Sequence, residues 1–118
     1  RSRIAIVPAA FCFPGYDAKG SDLPPPALCR AIWGAEVDAA LPNIRLRILA
    51  GSYAHRRHLG LAQPVDALVR DWRRFAPATF VLPHPSWRNS GWLKRNPWFE
   101  AELLPELRTA LQQALTAK

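Results

Sequence analysis

A short apolar run, Thr79-Phe80-Val81-Leu82, stops at Pro83-His84-Pro85-Ser86, and this step constrains the fold more than any other stretch of the chain. β-Branched and aromatic residues held between breakers mark a buried strand. Each proline fixes its own φ and biases the residue before it towards extended geometry. His84 is therefore expected on a stiff, non-helical segment just past the carboxyl end of a strand, which is where α/β sheets bind ligands. The residues that follow suit nucleic acid. An imidazole donates a hydrogen bond without carrying charge. Trp87 offers a stacking face, Arg88 a cation for phosphate or a wedge, and Ser86 and Asn89 short polar contacts. The same composition also suits a surface turn whose histidine caps a strand.

The rest of the chain alternates strands with helices. Arg3 to Val7 reads as a buried strand. Residues 9–26 form a loop rich in Pro and Gly, which Phe11, Phe13 and Tyr16 are expected to order. Leu28, Ile32, Trp33, Val37 and Leu41 recur near helical spacing, so a helix is expected over Ala27 to Leu41, opened by Pro26. Ile44 to Ala50 alternates as a strand, with Ile44, Leu46 and Ile48 set against Arg45, Arg47 and Leu49. Ser52 is placed to cap a short helix that Gly60 closes. Pro64 starts another, with Val65, Leu68, Val69 and Trp72 on its apolar face and Arg70, Arg73 and Arg74 on a basic one. After the His84 loop, Asn96 and Pro97 are expected to begin a helix carrying Phe99, Leu103, Leu104, Leu107, Leu111 and Leu115. Pro105 should kink or restart it. The order β, loop, α, β, α, α, β, loop, α points to a parallel α/β sheet.

Composition sets bounds on this picture. A chain of 118 residues has room for one domain, and 49% hydrophobic residues argue for a packed core. Sixteen Lys and Arg against nine Asp and Glu give a net charge of +7, which fits a polyanion partner. No apolar run approaches membrane-spanning length, so no membrane partner is expected. The two cysteines fit a reduced cytoplasmic protein, a single disulfide or half of a metal site. His55 and His58, beside Arg56 and Arg57, read as a solvated basic face, with metal binding as the alternative. Glu36, Asp38 and Asp66 show no catalytic pairing, while Asp17 and Asp22 sit in the long loop where they could orient water. The sequence holds no methionine and runs straight into Ile4-Ala5-Ile6-Val7, which suggests that residues precede it.

These motifs together resemble those of a known family. His84-Pro85-Ser86 followed by Trp87-Arg88-Asn89 resembles the His-Pro-Ser motif of the uracil-DNA glycosylase superfamily. The variant with Arg and Asn is most similar to the single-strand-selective monofunctional uracil-DNA glycosylases, which carry proline where this chain has Trp87. Leu49-Ala50-Gly51-Ser52-Tyr53-Ala54 is similar to the strand-to-helix element in the middle of that fold. Cys12-Phe13-Pro14-Gly15, with Cys29 further on, resembles the segment of the iron–sulfur glycosylases that carries two of their four cluster cysteines.

The resemblance implies a three-layer α/β/α sandwich with a central, mainly parallel sheet, here incomplete at its N-terminal side. Residues 1–118 would be the C-terminal part of a longer glycosylase-like domain, monomeric and cytoplasmic. It implies base-excision repair: hydrolysis of the N-glycosidic bond of uracil, or a related damaged base, flipped out of DNA. His84 would stabilise the leaving base. Arg88 would enter the base stack or clamp a phosphate, with Ser86, Trp87, Asn89 and Ser52 as further DNA contacts. Cys12 and Cys29 would be half of a [4Fe-4S] site in the longer parent, although two thiolates do not complete a four-thiolate site. The family's Gly-rich water-positioning motif and base-stacking aromatic have no match, so this chain alone is expected to be inactive. The iron–sulfur glycosylases also place a base-reading asparagine four residues before the loop cysteine, a position held here by Pro8. Pro8 has neither side-chain amide nor backbone N–H. Two alternatives follow: a non-catalytic nucleic-acid-binding domain of the same fold, and an iron–sulfur protein without a DNA role.

Overall fold

A computed structural model of the chain describes residues 2–9 and 13–117. They fall into two compact units, one running up to Ile44 and one from Arg45 onward.

The first unit is built around helix α1 (Ala27–Ala40), which Pro26 precedes in extended geometry. The tripeptide Pro24-Pro25-Pro26 cannot continue a helix backwards, so α1 starts where the prolines stop. The loop before it is ordered by a tight turn. Tyr16 and Asp22 form an antiparallel bridge, and Asp17 Oδ1 accepts from the amides of Lys19 (2.8 Å) and Ser21 (3.0 Å). Phe13 and Tyr16 meet edge to face at 5.1 Å. The aromatic ordering expected of this loop is therefore present for Phe13 and Tyr16, while Phe11 lies outside the described residues. Asp17 thus spends one carboxylate oxygen on the turn. Two expectations fail in this unit. Arg3 to Val7 is not a buried strand: no ladder reaches it among the described residues, and Ile6 is 93% exposed. A strand exists only where its amides and carbonyls find a neighbour. Nor is the apolar stripe of α1 a packed face, since Leu28, Ile32 and Trp33 are exposed and Cys29 and Gly34 are buried instead.

The second unit is α/β, as the alternation of strands and helices predicts. Strand β1 (Arg47–Ala50) pairs in parallel with β2 (Thr79–Leu82), in the register Arg47↔Thr79 to Ala50↔Leu82. Helices α2 (Ser52–Leu59) and α3 (Val65–Arg70) and a 3₁₀ turn at Trp72–Arg74 make the crossover. A second 3₁₀ turn (Trp87–Asn89), helix α4 (Ser90–Arg95), a π-helical turn (Phe99–Leu103) and helix α5 (Leu104–Thr116) complete the chain. The core gathers Leu49, Val69, Trp72, Phe80, Val81, Phe99, Leu103, Leu107 and Ala110. Burying a side chain such as Phe80 or Leu103 contributes about 1.5–3 kcal/mol.

Paired residues of a parallel ladder share a face, and here that decides which side of β1 is covered. Leu49 and Val81 turn into the core. Phe80, on the other face, stacks on Trp72 at 5.9 Å, whereas its neighbour Ile48 stays 44% exposed. The inward set of β1 is thus the one containing Leu49, opposite to the alternation expected, and the strand is shorter than Ile44 to Ala50. Gly51, not Ser52, is the residue that precedes α2, while Gly60 closes that helix in the left-handed region with φ 66°.

Helix α4 was not evident in the sequence, because Gly91 lies inside it and its apolar content is one Trp92-Leu93 pair. Asn96 ends α4 instead of capping the next helix, and it is 3% exposed. Its side chain donates to Trp92 O (2.8 Å) and accepts from Arg70 (2.6 Å) and Trp98 Nε1 (3.2 Å). Arg70 also reaches Asp66 (2.9 Å), whose second oxygen accepts from Trp92 Nε1 (2.7 Å). Side chains of α3 are tied in this way to α4 and the turn behind it. The restart expected at Pro105 appears as the change from the π-helical turn to α5, with Pro105 in the first turn of α5. Its missing N–H falls at the junction where the π-helical turn gives way to α5.

Candidate functional site

Parallel pairing brings the carboxyl ends of both strands to one edge, and the chain leaves each strand differently. After β1 it turns at Gly51, at φ 87° and ψ 169°, and enters α2 at once. After β2 the prolines hold it extended through His84. Gly51 N donates to Leu82 O at 3.0 Å, so the two exits are bonded to each other. They also touch: a Cβ built on Gly51 would lie 3.5 Å from Cβ and from Cδ2 of His84. His84 itself is exposed.

The loop carrying His84 is bonded to itself. The His84 carbonyl accepts from Ser86 N at 2.8 Å and from the Asn89 side-chain amide. Ser86 Oγ accepts from Arg88 N (3.3 Å), and Ser90 Oγ donates to Trp87 O (2.6 Å). Ser86 and Asn89, expected as DNA contacts, thus also hold the loop in shape. Trp87 and Arg88 do not fold back: Trp87 is 81% exposed, and the Arg88 guanidinium stands 5.9 Å from its ring centre. A cation beside an exposed indole face is a pairing that meets phosphate and base together. Ser52, half-buried, follows Gly51 in the first turn of α2, on the same edge of the sheet. His84, Ser86, Trp87, Arg88 and Asn89 therefore belong to one loop, and Ser52 sits where the neighbouring strand ends.

One residue of this edge departs from its sequence expectation. His55 is not on a solvated face; it is 1% exposed. Its Nε2 lies 3.0 Å from Leu49 O and 3.0 Å from Leu82 O. The signal was its spacing. A residue four after a glycine that ends a strand and begins a helix lies one turn in, back over the strand end.

Cys29 lies buried in α1, in the other unit, and Cys12 falls outside the described residues. Among the described residues no three His, Cys, Asp or Glu side chains come together to hold a metal ion. The described residues thus furnish no cluster site, and no chemistry is assigned to one. No helix among them is long and apolar enough to cross a membrane.

The family model described as the uracil DNA glycosylase superfamily matches residues 1–108.

Proposed function

Because the chain belongs to the uracil DNA glycosylase superfamily, we propose that it serves the excision of uracil or a related damaged base flipped out of DNA, with His84 at the departing base. One observation carries this reading: the exposed His84 stands on a proline-braced, internally bonded loop at the carboxyl edge of the sheet. As water attacks the sugar carbon, the N-glycosidic bond breaks and its electron pair passes to the base. The ring N–H of His84 donates to the base carbonyl on which that charge gathers. A rigid donor needs little reorganisation as the charge develops, and removing one such donor typically raises a barrier by about 2.7–4 kcal/mol. Trp87 supplies a stacking surface and Arg88 a cation or wedge that offsets the few kcal/mol of unstacking.

The test is base release from a uracil-containing single-stranded oligonucleotide, with and without His84→Ala, for this chain and for a form extended upstream. The reading expects release to fall about 10²–10³-fold on substitution while affinity for the oligonucleotide holds. Release that ignores the substitution would remove His84 from the chemistry.

Pro8 favours a second reading, a non-catalytic nucleic-acid-binding domain. At the position of the base-reading asparagine it offers no donor. In that case DNA binding is strongly salt-dependent and no base is released by either form.

A further inference from the structure

We propose that His55 is a positioning residue for His84, acting through the ends of the two strands; this rests on the reading of His84 given above. Both partners of His55 Nε2 are carbonyl oxygens, each at 3.0 Å. Two acceptors fix the tautomer: Nε2 carries the proton and its N–H is shared between Leu49 O and Leu82 O. One donor thereby clasps the last turns of both strands from a helix that starts where β1 ends.

The other ring nitrogen shows that packing alone does not account for a histidine here. His55 Nδ1 is buried and has no hydrogen-bond partner among the described residues. An orphaned buried acceptor is unfavourable, and such groups in folded proteins call for an explanation. A leucine would fill much of this space with no orphan. What histidine offers that leucine does not is the donor to the two carbonyls.

The clasp reaches His84 by a short and stiff route. Leu82 O accepts from both His55 Nε2 and Gly51 N, and only Pro83 separates Leu82 from His84. Proline leaves that step little torsional freedom. Gly51, one turn before His55 on the same helix, lies against the His84 side chain. A shift of the α2 start would therefore move both the carbonyl behind His84 and the surface beside it. Positional errors near 1 Å are enough to reduce a catalytic rate strongly.

The test compares the wild-type chain with His55→Leu and His55→Gln. Leucine removes the donor, while the glutamine amide restores one. Native-state amide exchange is read at Gly51 and Ser86, with Leu107 and Ala110 on α5 as internal controls. In His55→Leu the Gly51 and Ser86 amides should exchange about tenfold faster, with α5 within about twofold of wild type. His55→Gln should recover most of that protection. In uracil release by the form extended upstream, His55→Leu should lower kcat about tenfold with KM within about twofold, again recovered by glutamine. Unchanged exchange at Gly51 and Ser86 in a folded His55→Leu would overturn the proposal, as would a glutamine variant no better than leucine. Should His55→Leu not fold, ¹⁵N spectra of wild-type His55 decide: a proton on Nδ1 rather than Nε2 sinks the clasp. If wild type releases no base, the exchange and tautomer measurements still stand, so loss of the glycosylase reading is distinguishable from loss of the clasp.

Discussion

Gly51 and His84 touch across the strand ends, with the α-carbon hydrogen of Gly51 standing where a side chain would come 3.5 Å from the Cβ and from the ring Cδ2 of His84. That distance is ordinary contact, so space does not forbid a methyl group. Backbone geometry does. At φ 87° and ψ 169° Gly51 occupies a region almost reserved for glycine. Gly51→Ala is expected to lower stability by about 1–3 kcal/mol, read as a shift in urea midpoint at unchanged slope. A midpoint equal to wild type would mean that this backbone relaxes freely.

Asp66 gives a pH-dependent test. The Trp92 indole N–H, and then the Arg70 guanidinium, hold its carboxyl below the ordinary value of 3.8. A carboxyl depressed by folding contributes stability that is complete above its unfolded pKa and disappears as pH falls through its folded one. The pair is half-exposed, at 54% for Arg70 and 49% for Asp66, so screening keeps the contribution below about 1 kcal/mol. Asp66→Asn should be less stable than wild type by that amount at pH 7. The gap should close in acid, below the ordinary carboxylate value, and a gap that widened there would reverse the assignment.

Asn96 should matter more, because it is buried and its side chain is bonded to three neighbours. Replacing it by leucine strips partners from Arg70, from the Trp98 indole and from the Trp92 carbonyl. These partners are half-buried or exposed, so a loss of about 0.5–1.5 kcal/mol is expected for each hydrogen bond given up. Chemical denaturation followed by tryptophan fluorescence would register it. A neutral outcome would show that these partners find water instead.

Trp87 separates folding from binding. At 81% exposure it contributes little to the core, so Trp87→Ala should leave stability within about 0.5 kcal/mol. If it stacks on a base, affinity for a single-stranded oligonucleotide should fall by about 1–3 kcal/mol. Fluorescence anisotropy with a labelled oligonucleotide measures this, and unchanged affinity would leave Arg88 to act without it.

Much of the second unit was legible because its signals are local. The run Thr79 to Leu82 is apolar and β-rich, and the prolines after it fix the loop where His84 stands. Gly60 closes α2, and Val65, Leu68 and Val69 mark the inner face of α3, with Trp72 in the 3₁₀ turn after it, all by short-range rules. What was not legible depends on partners far away in sequence. Nothing within Arg3 to Val7 reveals that no ladder reaches it. The inward side of β1 is set by its pairing with β2, which covers Leu49 and leaves Ile48 exposed. His55 resembled its charged neighbours Arg56 and Arg57, and only the strand ends beneath it reveal its surroundings. Asn96 precedes a proline, the local pattern of a helix start, although it ends the helix before it.

The pairing of Ala50 with Leu82 also bears on length variation. Successive residues of a strand point to opposite faces, so deleting one residue between Phe80 and His84 would turn the imidazole away from Gly51 and leave Leu82 O out of reach of His55. The exposed connection at residues 62–64 carries no such restriction. Doubling the length of a flexible loop adds only about 0.6 kcal/mol of closure entropy. Relatives of this chain that differ in length should therefore vary between α2 and α3 and hold a fixed count from the second strand to the histidine.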